Sequence, residues 1–275
     1  LASMGDDTPS AVLSKKYRPL SHFFRQNFSQ VTNPPIDSLR EFRVMSLKTR
    51  FGNLKNVLDE SSSQAEILVL ESPFIANAEF ETMVDRLDMP FFFCAGNHDI
   101  SNVPMSEDWN RRFRRSYYHF LYHNCLFLVL NSEDPPKNGP FHFSQEQRDW
   151  AVETLKANRD VRWTFVITHK PTWTYPNADL AKQGWTQIED ALAGRKYTVF
   201  AGHKHAYARY IRRGQEYYML ATTGGGSTLT GLADGKFDHF VWVTMTRNGP
   251  VLANLLMDGV KPKTIRNLAD PSAGK

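Results

Sequence analysis

Six residues in this chain have the side chains and the spacing to do metal chemistry. Asn97, His98 and Asp99 directly follow the apolar run Pro90–Ala95. His169 follows Trp163–Thr168, and His203 and His205 follow Tyr197–Ala201. Imidazole suits Zn, Mn, Fe and Ni, while an amide carbonyl suits harder ions, so this mixture points to a divalent transition metal. His203 and His205 lie two apart; in an extended segment both would point the same way and could face one metal cluster. A metal pair there could polarise a phosphoryl oxygen and activate a water as nucleophile. His22, His119, His123, His142 and His239 read instead as surface or internally satisfied polar groups.

The elements that must position these residues can be traced along the chain. Pro90–Ala95, Trp163–Thr168 and Tyr197–Ala201 are strand-sized apolar runs, and Leu126–Asn131 is a fourth. In layered sheets the loops at strand C-termini converge on a ligand site. Ser144, with Gln147 three residues on, makes a capping-box pattern for a helix to Ala157. Gln183–Ala193 is amphipathic, and Phe80–Leu87 and Leu54–Glu60 also read as helical. Tyr117–Tyr122 alternates. Tyr207–Arg212 with Glu216–Ala221, and Phe240–Thr246 with Val251–Met257, read as hairpins. Residues 1–80 contain one strong strand, Ile67–Leu70. Strands alternating with helices and then a run of hairpins predict a layered α/β (α+β) domain.

Composition sets the bounds. The 275 residues are 41% hydrophobic and 23% charged, with a net charge of +4, which neither demands nor excludes an anionic partner. No apolar run is long enough to span a bilayer, and Leu1–Ser10 lacks the basic start and apolar stretch of a secretory signal. Cys94 and Cys125 sit inside apolar runs with no zinc-like spacing. They read as reduced, buried thiols, which favours a reducing, cytoplasmic compartment. Arg111–Arg115 reads as a solvated helix face with Phe113 inward. Gly224-Gly225-Gly226-Ser227 reads as a flexible turn at the rim of the site. Trp173, Tyr175 and Trp185 read either as a substrate wall or as core.

Gly96-Asn97-His98-Asp99, His169 and Gly202-His203-Lys204-His205 resemble the last three signatures of calcineurin-like metallophosphoesterases, over about residues 81–260. That resemblance implies a four-layer αββα sandwich with a two-metal centre (Mn, Fe or Zn) that hydrolyses phosphate mono- or diesters. It implies Asn97, His169 and His203 as ligands of one metal and His205 of the other. His98 would stabilise the phosphoryl transition state or protonate the leaving oxygen, with Asp99 holding its tautomer. The implied substrate is a phosphate-ester small molecule or a phosphoprotein, and no nucleic-acid module accompanies it.

The family opens with an Asp-x-His strand end and a Gly-Asp-x-x-Asp strand end. No Asp-x-His occurs in this chain, and its one Gly-Asp is Gly5-Asp6, which follows no strand. Met4–Ser10, Tyr17–Glu41, Met45–Asn53 and Leu70–Phe80 instead resemble the central domain of the glutamate synthase large subunit, over about residues 4–80. The organisation expected is a foreign segment at 1–80 joined to the C-terminal part of a metallophosphoesterase at 81–275, giving a partial sandwich. Three functional readings follow: an impaired metal-dependent phosphoesterase, a catalytically inactive chimera binding at most one metal, and a glutamate synthase fragment. Without its first two strands the sandwich is expected to expose a sheet edge, with a molten N-terminal third. Glu71, ending the strand Ile67–Leu70, is the candidate stand-in for the missing bridging carboxylate.

Overall fold

The computed structural model describes residues 42–47 and 67–71, as backbone strands, and 91–271 apart from Asn138 and Gly224. The helices expected at 54–60 and 80–87 lie outside the described residues.

Two six-stranded sheets carry the fold. The first contains β1 (Phe42–Leu47), β2 (Ile67–Glu71), β3 (Phe91–Cys94), β10 (Phe240–Thr246), β11 (Gly249–Leu256) and β12 (Gly259–Pro262), in the order β12-β11-β10-β1-β2-β3. The second contains β4 (Tyr118–Tyr122), β5 (Cys125–Leu130), β6 (Trp163–Thr168), β7 (Tyr197–Ala201), β8 (Ala208–Arg212) and β9 (Gln215–Met219), in the order β4-β5-β6-β7-β9-β8. Strands β5, β6, β7 and β9 are mutually parallel, so their C-terminal ends share one edge.

Among the described residues, two strands occupy the place of the two expected to be missing. β1 and β2, both from the stretch that resembles glutamate synthase, fill the space between β10 and β3. β1 pairs antiparallel with β10 and parallel with β2, and β2 pairs parallel with β3. The pairing sets Leu68, Val69, Leu70 and Glu71 opposite Phe91, Phe92, Phe93 and Cys94. A ladder needs only backbone donors and acceptors in an extended chain, so strands of any ancestry can complete it.

Two apolar cores fix the layers. Phe92, Phe127, Phe165, Phe200, Val241 and Val243 belong to the cluster between the sheets. Its aromatic rings stack in series, with Phe92–Phe120 at 3.8 Å and Phe120–Phe127 at 4.6 Å between centroids. The second cluster joins Leu126, Leu128 and Val199 of the second sheet to Ala151, Leu155, Trp185 and Ile188. Those four lie on α2 (Gln145–Ala157) and α3 (Trp185–Ala191), which therefore form a helical layer on that sheet. Trp173 and Trp185 are fully buried core residues here. Cys94 and Cys125 are buried, and neither is in a disulfide.

α1 (Val103–Phe113) begins where Asn102 Oδ1 accepts the Met105 N–H at 3.0 Å, and it buries Trp109 and Phe113 four residues apart. Arg111 and Arg112 in its last turn pair with Asp108 and Phe113 is buried, so this half of the basic cluster is a helix face, while Arg114 caps the helix at φ 64° and Arg115 lies beyond it. Ser144 caps α2 by accepting the Gln147 N–H at 3.2 Å. Gln147 itself is diverted from the reciprocal half of a capping box. Fully buried, it accepts from Asn131 N–H at 2.9 Å and donates to Asn131 O at 3.0 Å and Asp134 Oδ2 at 2.9 Å.

Candidate metal centre

Three loops, one from the first sheet and two from the second, meet across the seam between the sheets. After β3, the Gly96 carbonyl accepts the N–H groups of Asp99 and Ile100, each at 2.9 Å, while Asp99 Oδ2 accepts the Gly96 N–H at 2.9 Å. This tight turn presents the half-buried Asn97 and leaves His98 exposed. After β6 comes His169, 1% exposed. After β7, the Lys204 N–H bonds to the Gly202 carbonyl at 2.6 Å, a three-residue γ-type turn whose central residue, His203, has φ 64°.

Asn97, His169 and His203 are brought together. Asn97 Oδ1 lies 2.7 Å from His169 Nε2 and 2.9 Å from His203 Nδ1, and the two ring nitrogens lie 3.0 Å apart. No placement of protons satisfies this triangle. Asn97 Oδ1 only accepts; if both nitrogens donate to it, they face each other across 3.0 Å with no bond between them. One cation receiving three lone pairs removes the conflict. Two donors about 2.1 Å from a metal lie about 3.0 Å apart at a right angle and about 3.4 Å apart at the tetrahedral angle. The observed edges fit the right-angle case, one face of an octahedron, and the donor set fits a divalent transition metal.

The other sequence-predicted residues stand differently. His205 has φ 54°, so the extended geometry that would aim it alongside His203 is absent; its Nδ1 contacts the Gly226 carbonyl. Among the described residues, no group of three or more His, Cys, Asp or Glu side chains is placed to hold a metal ion. Backbone pairing sets Glu71 opposite Cys94, three residues ahead of Asn97.

Behind His169 lies an ion pair that sequence reasoning missed. Lys170, 4% exposed, donates from Nζ to Glu133 Oε2 at 2.9 Å and to the Gly139 carbonyl at 2.9 Å. Its N–H bonds to Ser132 Oγ at 3.2 Å. Burial pushes the Glu133 carboxyl up, and Lys170 opposes that shift. Burial first, and Glu133 second, raises the Tyr175 phenol well above its usual range. The signal available was positional: Asn131–Asp134 is a polar cluster at the C-terminal end of β5, on the edge that carries the other two loops.

Fold and site together define a metallophosphoesterase-type sandwich. The chain matches the calcineurin-like phosphoesterase family over residues 64–207, more than half its length, and belongs to that family. It also matches the glutamate synthase central domain over residues 1–101, so the two matches overlap. It is 71% identical over 87 residues to the glutamate synthase [NADPH] large chain of Azospirillum brasilense, covering 32% of this chain and 6% of that one. It is 47% identical over 83 residues to glutamate synthase [NADH] of Saccharomyces cerevisiae, covering 30% of this chain and 4% of that one. The chain thus spans a small fraction of the curated relatives it matches. Among solved structures it is similar to GAP50, the anchor in the inner membrane complex of Plasmodium. The TM-score is 0.59 at 14% identity, covering 86% of this chain and 99% of that one, which is a likeness of fold. Among the described residues, no helix is long and apolar enough to cross a membrane.

Proposed function

We propose that the chain is a metal-dependent phosphoric ester hydrolase whose metal centre is weakened by the loss of the first two family motifs. The observation that carries this reading is the convergence of Asn97 Oδ1, His169 Nε2 and His203 Nδ1 within 3.0 Å of one another. Those three would hold a first divalent ion (Mn, Fe or Zn). When bound, such an ion polarises a phosphoryl oxygen of a small-molecule or phosphoprotein ester. His98, exposed beside Asn97, would give a proton to the leaving oxygen. Asp99, whose Oδ2 accepts the Gly96 N–H, would fix the turn that carries His98. His205 is the candidate for a second ion, and Glu71, at the end of β2, is the candidate acid. The chain would divide into a glutamate synthase-like part at 1–80 and a phosphoesterase part at 81–275, with β1 and β2 lent to the second.

A second reading, an inactive chimera that binds at most one metal, is favoured by the His205 ring lying on the Gly226 carbonyl. The two readings separate on metal stoichiometry and turnover. Two ions per chain with p-nitrophenyl phosphate hydrolysis support the hydrolase; one ion or none, without turnover, refutes it and supports the inactive chain. Retained metal affinity in E71Q would remove Glu71 from the site. The glutamate synthase reading rests on a matched segment that is 6% of the glutamate synthase chain.

A further inference from the structure

His203 occupies the centre of a turn that an L-residue rarely adopts, at φ 64°, and His205 two residues on is also left-handed at φ 54°. Such backbone is strained for an L-residue and persists where surrounding structure over-determines it. Besides the Lys204 N–H to Gly202 carbonyl bond that closes it, contacts to neighbouring loops hold this turn. Gly202 N–H donates to the His169 carbonyl at 2.9 Å. His205 meets the Gly226 carbonyl. Lys204, on the surface between the two histidines, turns its ammonium back to the Thr174 carbonyl at 2.9 Å and over the Tyr175 ring, 4.6 Å from its centroid.

The anchor that Lys204 grips is itself rigid. Thr174 closes a 3-10 turn by donating from its N–H and its Oγ1 to Pro171 O, at 2.9 and 2.7 Å. Tyr175 packs edge-on to Phe141 at 5.6 Å. Pro171 follows Lys170, whose buried pairing with Glu133 pins the segment to the loop after β5. His169 and His203 are thus each followed by a lysine whose ammonium bonds within the protein.

From this geometry we propose that Lys204 is a positioning residue: its ammonium holds the strained turn that keeps His203 Nδ1 within 3.0 Å of His169 Nε2. The role rests on the metal site proposed above, at one remove from the ion. Removing a group that orients a metal ligand typically weakens binding by about 10–100-fold. K204M keeps the stem and removes the charge, and its exposed position protects the fold.

Two measurements on the full chain test this. The first is Mn(II) affinity by titration, for wild type, K204M and K204R. K204M is expected to bind at least about tenfold more weakly, with K204R recovering most of the loss because a guanidinium also reaches a carbonyl and stacks on an aromatic ring. The second uses metal-free protein: the ring nitrogen resonances of His203, assigned through H203Q, are expected to shift in K204M while those of His239 stay. Unchanged affinity and unchanged His203 resonances in K204M overturn the proposal. Wild type that binds no Mn(II) overturns the metal site, and the resonance comparison then still decides whether Lys204 holds the turn. The double variant E133Q/K170M removes the deeper pair together; a loss of Mn(II) affinity at unchanged melting temperature supports the same brace, and wild-type affinity removes the Lys170 pairing from it.

Discussion

His239 gives the sharpest test of the internal polar structure behind the site. It is 4% exposed and stands where β10 enters the first sheet. Its Nε2 accepts the Ala221 N–H at 3.1 Å and its Nδ1–H donates to Asn254 Oδ1 at 2.9 Å. Both bonds require the neutral ring, because a proton on Nε2 would face the Ala221 N–H. Burial lowers its pKa to about 4 from 6.5, with Asn254 and Asp238 opposing the shift. The folded pKa is depressed, so above pH about 6.5 both states are neutral and the contribution is intact. As pH falls, the unfolded chain takes up a proton that the folded chain refuses, and stability is lost down to about pH 4. At about 1.36 kcal/mol per unit, that loss approaches 3 kcal/mol. Urea unfolding of wild type and H239Q at pH 7, 6, 5 and 4 reads it. Carboxylate effects are common to both proteins and cancel in the comparison. Wild type is expected to lose about 3 kcal/mol more than H239Q between pH 7 and 4. Equal losses would refute the burial argument.

Two further substitutions test the scaffold. Q147A leaves the N–H and C=O of Asn131 facing an apolar hole, and a loss of about 2–3 kcal/mol in denaturant unfolding is expected; a loss below 1 would show that the bridge is dispensable. E189A strips the buried partner of Arg212, which bonds to both Glu189 oxygens at 2.6 and 2.7 Å and to Asp270 at 2.9 Å. A loss of about 3–5 kcal/mol is expected, and near-wild-type stability would refute it.

Much of this was legible in the residues. Apolar runs that end in Asn or His mark strands β3, β6 and β7 because a strand buried on both faces has no polar alternation to blur it. Their boundaries fell within a residue or two of the structure. β1 was not legible: Arg43 and Ser46 break the apolar pattern of Phe42–Leu47, and only pairing with β10 and β2 makes it a strand. β12 is a short edge strand with Lys261 and Pro262, residues that propensity reads against sheet. The site was half legible. Residue types and order predicted that Asn97, His169 and His203 meet, but a left-handed histidine violates the local rule that made His203 and His205 look co-directional. Lys170 gave no sign of burial, since a lysine is almost never buried unless paired, and its partner lies 37 residues away.

The proposed metal site requires three donors from three loops to hold one cation. Anomalous diffraction from crystals of the full chain soaked in Mn(II) tests it directly. A peak is expected about 2.0–2.3 Å from Asn97 Oδ1, His169 Nε2 and His203 Nδ1 together. A peak elsewhere, or none at these three atoms in a fully soaked crystal, would contradict it.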